Sequence, residues 1–128
     1  MLYKEITDEI IYAFYKVYNT LGYGFLEKVF KNAMYFEMIN LGLKCEIEKP
    51  INVYYENKLV GVFYADIVVE EKVILELKAI ERLEKVFEYQ LLNYLKASEM
   101  EIGLLLNFGK EPEIKRLIYT NDRKNNKK

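Results

Sequence analysis

The chain has 128 residues, 52% of them hydrophobic and 30% charged, with 19 Lys+Arg against 20 Asp+Glu. That length and apolar content suit one packed domain, expected over residues 1–120, and the net charge of −1 gives no global pull toward nucleic acid or acidic membranes. Histidine is absent and Cys45 is the one cysteine, which excludes serine triads, His-ligated zinc, an internal disulfide and any multi-cysteine cluster.

In chain order, Thr7 is the expected N-cap of a first helix, with Asp8 and Glu9 favourable in its first turn. Ile10, Phe14, Val17, Tyr18 and Leu21 recur at helical spacing, and Gly22-Tyr23-Gly24 ends the run. A second helix is predicted from there to Leu41, stopped by Gly42, with Leu26, Val29, Phe30, Ala33, Met34, Glu37 and Leu41 on its inner face. The period then changes. Ile47–Tyr55 reads as a strand, residues 56–58 as a hairpin loop, and Leu59–Val69 and Val73–Ala79 as two further strands. Leu83–Ala97 returns to helical spacing, Ile102–Phe108 has the continuous apolar run of a strand covered on both faces, and Ile114–Tyr119 is a last strand. The fold class is α/β (α+β), order ααβββαββ, a mixed sheet flanked by helices. Residues 121–128 have nothing to bury and read as a basic, disordered tail. No stretch is long and apolar enough to cross a bilayer, no apolar leader opens the chain, and the lone thiol fits a reducing cytoplasm.

Several charges stand where apolar residues would cost less. Asp66 interrupts the core-like run Val62–Val69, and Glu76 and Lys78 interrupt Val73–Ala79. Alternation places Glu76 and Lys78 on one face of their strand, with Val73, Leu75, Leu77 and Ala79 on the other. An edge strand with one wet face would explain Glu76 and Lys78 by themselves. Asp66 weighs against that, because Asp is a poor strand former and lies ten positions before Glu76 across a short turn. A three-residue loop or a bulge there sets the two carboxylates side by side on neighbouring antiparallel strands. Two acids and a lysine on one face can hold a hard cation, Mg²⁺ or Mn²⁺, that lowers the pKa of a bound water, while the lysine stabilises charge developing on phosphorus. Glu27 is a further candidate, although a carboxylate in a helix's first turn is also explained by the dipole. Gln90 and Tyr94 share a face of the third helix, where a boundary polar residue beside a core tyrosine is the plainer explanation.

Together these residues resemble the PD-(D/E)XK nuclease superfamily and its RecB-like branch. Asp66 with Glu76-Leu77-Lys78 is similar to the D…(D/E)-x-K core, and Gln90-Leu91-Leu92-Asn93-Tyr94 to the Q-x-x-x-Y signature. Gly24-Phe25-Leu26-Glu27-Lys28-Val29-Phe30 resembles the motif that names the small GxxExxY family, with Phe30 in place of the tyrosine. Leu104–Gly109 is similar to a later stretch of that family. The resemblance implies a restriction-endonuclease-like fold, with a metal held by Asp66, Glu76, the carbonyl of Leu77 and Glu27. It further implies that Lys78 assists the attacking water and that Gln90 and Tyr94 line the site.

The expected activity is hydrolysis of phosphodiester bonds in nucleic acid, DNA favoured over RNA. The alternative is a non-catalytic module that binds nucleic acid or protein on the same fold. Lys110, Lys115, Arg116, Arg123 and Lys124, with Lys127 and Lys128, could supply the phosphate contacts that the neutral net charge withholds, or be a solvated tail. A homodimer would double the binding surface. The 12 tyrosines would suit an interface or base stacking, though most read as core.

Overall fold

Periodicity and turn chemistry set the chain's course. The computed structural model describes residues 2–124. It contains α1 (Lys4–Leu21), α2 (Glu27–Asn40), β1 (Cys45–Tyr55), β2 (Lys58–Val69), β3 (Val73–Lys78), α3 (Lys85–Ala97), β4 (Ile102–Phe108), β5 (Pro112–Ile118) and a 3-10 turn, Asn121–Arg123. The strands form one sheet in the order β1-β2-β3-β4-β5, antiparallel throughout except for the parallel pair β3/β4. A parallel pair needs a crossover, and α3 supplies it. The mixed sheet flanked by helices, in the order ααβββαββ, is the predicted one.

Two apolar layers hold it. Ile10, Phe14, Phe30, Met34 and Met38 of α1 and α2 pack on Ile67, Leu75, Leu77, Leu104, Leu106 and Phe108. Leu91 and Leu95 of α3 pack on Ile51, Ala65, Val68, Ile74 and Leu105 on the opposite side. All seven residues of β4 are buried, as a strand covered on both faces requires.

Local details depart from the sequence expectation. Thr7 is no N-cap: α1 begins at Lys4, and the Thr7 hydroxyl donates back to the carbonyls of Tyr3 and Lys4, so a residue that favours caps is satisfied within the helix. Leu26, Val29 and Leu41 are exposed, because the inner stripe of α2 narrows to Phe30, Met34 and Met38. Gly42 closes α2 at φ 86°, with the Leu43 N–H bonded to Met38 O and the Gly42 N–H to Ile39 O. The β1–β2 turn has two residues, Glu56 and Asn57, at φ 47° and 67°, and Lys58 already belongs to the strand. Asn121–Arg123 is ordered, and Lys124 Nζ donates to the carbonyls of Ser98 and Met100. The remainder of the expected tail, 125–128, lies outside the described residues.

One irregularity positions the site. The β1–β2 register runs Ile47↔Ile67 and Lys49↔Ala65 but skips the pair between them, Glu48 and Asp66, where Glu48 has φ 53°. Strict alternation would put Ala65 and Ile67 on one face. Instead Ala65 joins the α3 layer and Ile67 the α1/α2 layer. The sheet changes its faces across Asp66.

Candidate active site

Val69 pairs with Val73 across the three-residue loop Glu70-Glu71-Lys72, so β2 and β3 are in register with Ile67 opposite Leu75. The ladder stops there and the strands part. Extending it by one pair brings Asp66 opposite Glu76, and their side chains fill the fork. The Asp66 N–H donates to Glu76 Oε2 at 3.0 Å, and the Leu77 N–H donates to Asp66 Oδ2 at 2.8 Å. Each carboxylate thus satisfies an amide that the parted ladder leaves open. Asp66 Oδ1 and Glu76 Oε1 have no hydrogen-bond partner among the described residues, and neither is buried without one. Each of the two neighbouring carboxylates therefore keeps one oxygen that no described residue occupies. That donor set suits a hard divalent cation.

Lys78 lies two residues beyond Glu76 on the α3 side, its ammonium 4.6 Å from the centre of the Phe87 ring. Tyr94 of α3 stacks on Phe63 at 3.5 Å and 17°. Burial raises the Tyr94 pKa, and the charges of Glu76 and Asp66 raise it further, so the phenol lies within electrostatic reach of the pair. Gln90 is exposed and makes no hydrogen bond to the site among the described residues. Leu77 buries its side chain toward α1 and α2, with its N–H taken by Asp66. Glu27, at the start of α2, is exposed along one side. Burial of the remainder raises its pKa, Asp66 raises it again, and Lys78 and Lys31 lower it. It senses the pair without joining it: among the described residues, no three acidic or sulfur side chains form a group able to hold a metal. An ion between Asp66 and Glu76 would complete its shell with backbone oxygen and water, as Mg²⁺ commonly does.

The electrostatics follow from taking two carboxylates partly out of water. Glu76 is pushed up to about 8, first by burial and then by the Asp66 charge. Asp66 is raised by burial. The Leu77 amide, Lys31 and Lys78 oppose that shift, in that order.

Of the five basic residues expected to bind nucleic acid, Lys110 lies beyond the end of β4, beside the segment that follows Lys78, and Lys115 stands in line with Glu76, each of them opposite Leu105. Lys110 lines a cavity of about 350 Å³ with Ala79, Ile80 and Glu81, just past Lys78. Lys115 is exposed on β5. Arg116 turns away, with Nη2 on the Leu2 carbonyl at 2.8 Å. Arg123 covers the Tyr119 ring at 4.4 Å, and Lys124 ties down the approach to β4. Ile102 starts β4 beside Val73, whereas Lys78 pairs with Asn107, so these last two lie at the opposite end of β3, roughly 16 Å along the strand.

Sequence reasoning assigned no role to four residues, although Asn107 and Gly109 lie in the family-like stretch Leu104–Gly109. Lys31 follows Glu27 by four positions, a spacing that places both on one helix face. Glu48, which binds Lys31 at 2.9 Å, carries no sequence signal. Asn107, fully buried in β4, accepts from the Ile80 N–H and donates to Ile80 O and Glu113, which fixes the chain just beyond Lys78. Gly109 completes that clamp: a Cβ there would stand 2.2 Å from Ile80 O.

A family model described as the PD-(D/E)XK nuclease superfamily matches residues 4–117. No curated protein and no solved structure matches the chain.

Proposed function

From the premise that the chain belongs to the PD-(D/E)XK nuclease superfamily, we propose that it is a Mg²⁺- or Mn²⁺-dependent nuclease, of the RecB-like branch and its GxxExxY family, acting on DNA in preference to RNA. The observation that carries this reading is the fork. Asp66 and Glu76 each bind a backbone amide with one oxygen and leave the other without a hydrogen-bond partner among the described residues, with the Lys78 charge acting on both. A bound cation would polarise the scissile phosphate and acidify a water. Asp66 and Glu76 would hold it, with the Leu77 carbonyl and Glu27 as further ligands. Lys78 orients the attacking water or neutralises charge growing on the phosphoryl oxygens. Tyr94, held against Phe63, closes one wall, and Gln90 meets the substrate from the exposed side of α3. Lys110 and Lys115 would grip the phosphate backbone. Arg116, Arg123 and Lys124 would serve only a long substrate or a homodimer.

The non-catalytic alternative gains from one observation: no three-carboxylate metal group is formed among the described residues. Incubating the purified chain with end-labelled single- and double-stranded DNA and RNA, in Mn²⁺, Mg²⁺ or EDTA, decides between them. The nuclease reading expects cleavage of DNA that EDTA and Asp66→Asn both abolish. Binding without cleavage under every metal supports the module.

A further inference from the structure

Beside the carboxylate pair, on the α2 side, lies a cavity of about 420 Å³ lined by Glu27, Lys28, Lys31, Asn32, Ile47 and Glu48. Its construction is unusual for a surface ion pair. The Lys31 side chain is only 16% exposed, while its partner Glu48, 2.9 Å away, is 62% exposed. An ammonium has three N–H donors. Glu48 takes one, and the others have no hydrogen-bond partner among the described residues. The Glu48 hydrogen bond outweighs the burial and holds the Lys31 ammonium charged, its pKa raised above the usual lysine value. The carboxylate is held against backbone preference, since Glu48 sits at φ 53°. That left-handed residue occupies the skipped register position opposite Asp66. The strain therefore delivers Glu48, and with it Lys31, to the flank of the carboxylate pair. Asp66 feels Lys31 more strongly than it feels Lys78.

We propose that this cavity is a phosphate subsite, in which Lys31 takes a non-bridging oxygen of a substrate phosphodiester and Glu48 is the positioning residue that holds the ammonium ready. The inference rests on the nuclease reading and deepens it. Glu27, Glu48 and Asp66 already match Lys28, Lys31 and Lys78 in number, and Glu76 adds to them when ionised, so a phosphate meets no net positive charge until a divalent cation is bound. Phosphate contact by Lys31 is therefore conditional on the cation. A structural ion pair would have no such dependence.

The test is binding of a fluorescein-labelled 20-nucleotide single strand and the corresponding duplex to the full-length chain, by anisotropy, in Ca²⁺ and in EDTA across a salt series. In Ca²⁺, Lys31→Met should weaken binding about tenfold and reduce the slope of log K against log salt by about one. In EDTA it should change neither. Lys31→Arg should restore most of the affinity. Glu48→Gln, which keeps a hydrogen-bond acceptor but loses the charge, should weaken binding less than Lys31→Met does. Circular dichroism and melting of each variant separate these effects from loss of fold. Wild-type binding in Ca²⁺ with an unchanged affinity and slope for a folded Lys31→Met overturns the subsite and leaves the nuclease reading intact. An equal loss in Ca²⁺ and EDTA also overturns it, since the lysine would then be a cation-independent or structural contact. A wild-type chain that neither binds nor cuts any of the nucleic acids overturns both.

Discussion

Replacing Glu76 by glutamine tests whether the fork carries the electrostatic load assigned to it. Glu76 has a folded pKa near 8 against an unfolded value of 4.5. Its ionisation therefore opposes folding. The unfolded chain releases this proton near pH 4.5 and the folded chain near pH 8, so stability is full below 4.5 and falls as pH rises between the two. Integrated from pH 5 to pH 8, the loss is on the order of a few kcal/mol. At roughly 3–5 °C per kcal/mol for a chain of this length, that is on the order of 10 °C in melting temperature. Glutamine keeps an oxygen for the Asp66 N–H and has no proton to lose. In EDTA, Glu76→Gln should melt within a few degrees of wild type at pH 5 and about 10 °C above it at pH 8. Differential scanning fluorimetry across that range reads the divergence. Curves that run parallel from pH 5 to pH 8 would refute the argument, because Glu76 would then titrate alike in both states.

Asp66→Asn should raise the metal-free melting temperature by a few degrees, because the amide still accepts from Leu77 without the charge. It should also erase the metal-induced shift, which in wild type is about 2.7 kcal/mol at a hundredfold excess of Mn²⁺ over its dissociation constant. Lys78→Ala should abolish cleavage yet keep the Mn²⁺-induced melting shift, since an ammonium is not a ligand; cleavage at the wild-type rate would remove it from the mechanism. Asn107→Ala strips partners from Ile80 and Glu113 and should cost about 2–4 kcal/mol by urea unfolding. Gly109→Ala should cost at least as much, since the added methyl meets a backbone oxygen rather than a side chain that can move.

The elements were legible because their signals are local. The helical spacing in α1 and α3 and the unbroken apolar run of β4 read directly. The shared face of Asp66 and Glu76 was legible too, once a three-residue turn was required. Exposed Leu26 and Val29 were not, because helical periodicity cannot say how wide a stripe the sheet will cover. Lys31 was half-legible, four positions after Glu27. Glu48 was illegible. Its relevance comes from one left-handed residue in a strand, a conformation that nothing in Ile47-Glu48-Lys49 announces. The same kink turns Ala65 and Phe63 toward α3, so a strict alternation through β2 assigns their faces wrongly. Arg123 and Lys124 lie away from the carboxylate pair for a topological reason. Beside Val73 or beside Lys78 is a matter of which end of β4 the chain leaves from, and composition is blind to it.

The fork explains why a costly arrangement can persist in a folded chain. Where β2 and β3 part, the N–H groups of Asp66 and Leu77 lose the strand partners that a continued ladder would give them, and a buried orphan amide costs about 1–3 kcal/mol. Apolar residues at 66 and 76 would remove the like-charge repulsion but leave both amides unmet. Carboxylates meet them, and each retains an oxygen that no described residue occupies. Lys78 on one flank and the Glu48-anchored Lys31 on the other moderate the accumulated negative charge without consuming those oxygens. Structural demand thus selects acceptors at these two positions, and the burial that makes them good acceptors raises Glu76 to about 8. A divalent cation between the free oxygens would relieve that strain. The metal-induced gain in stability should therefore grow with pH up to about 8, where an ordinary surface carboxylate pair would have levelled off by pH 6.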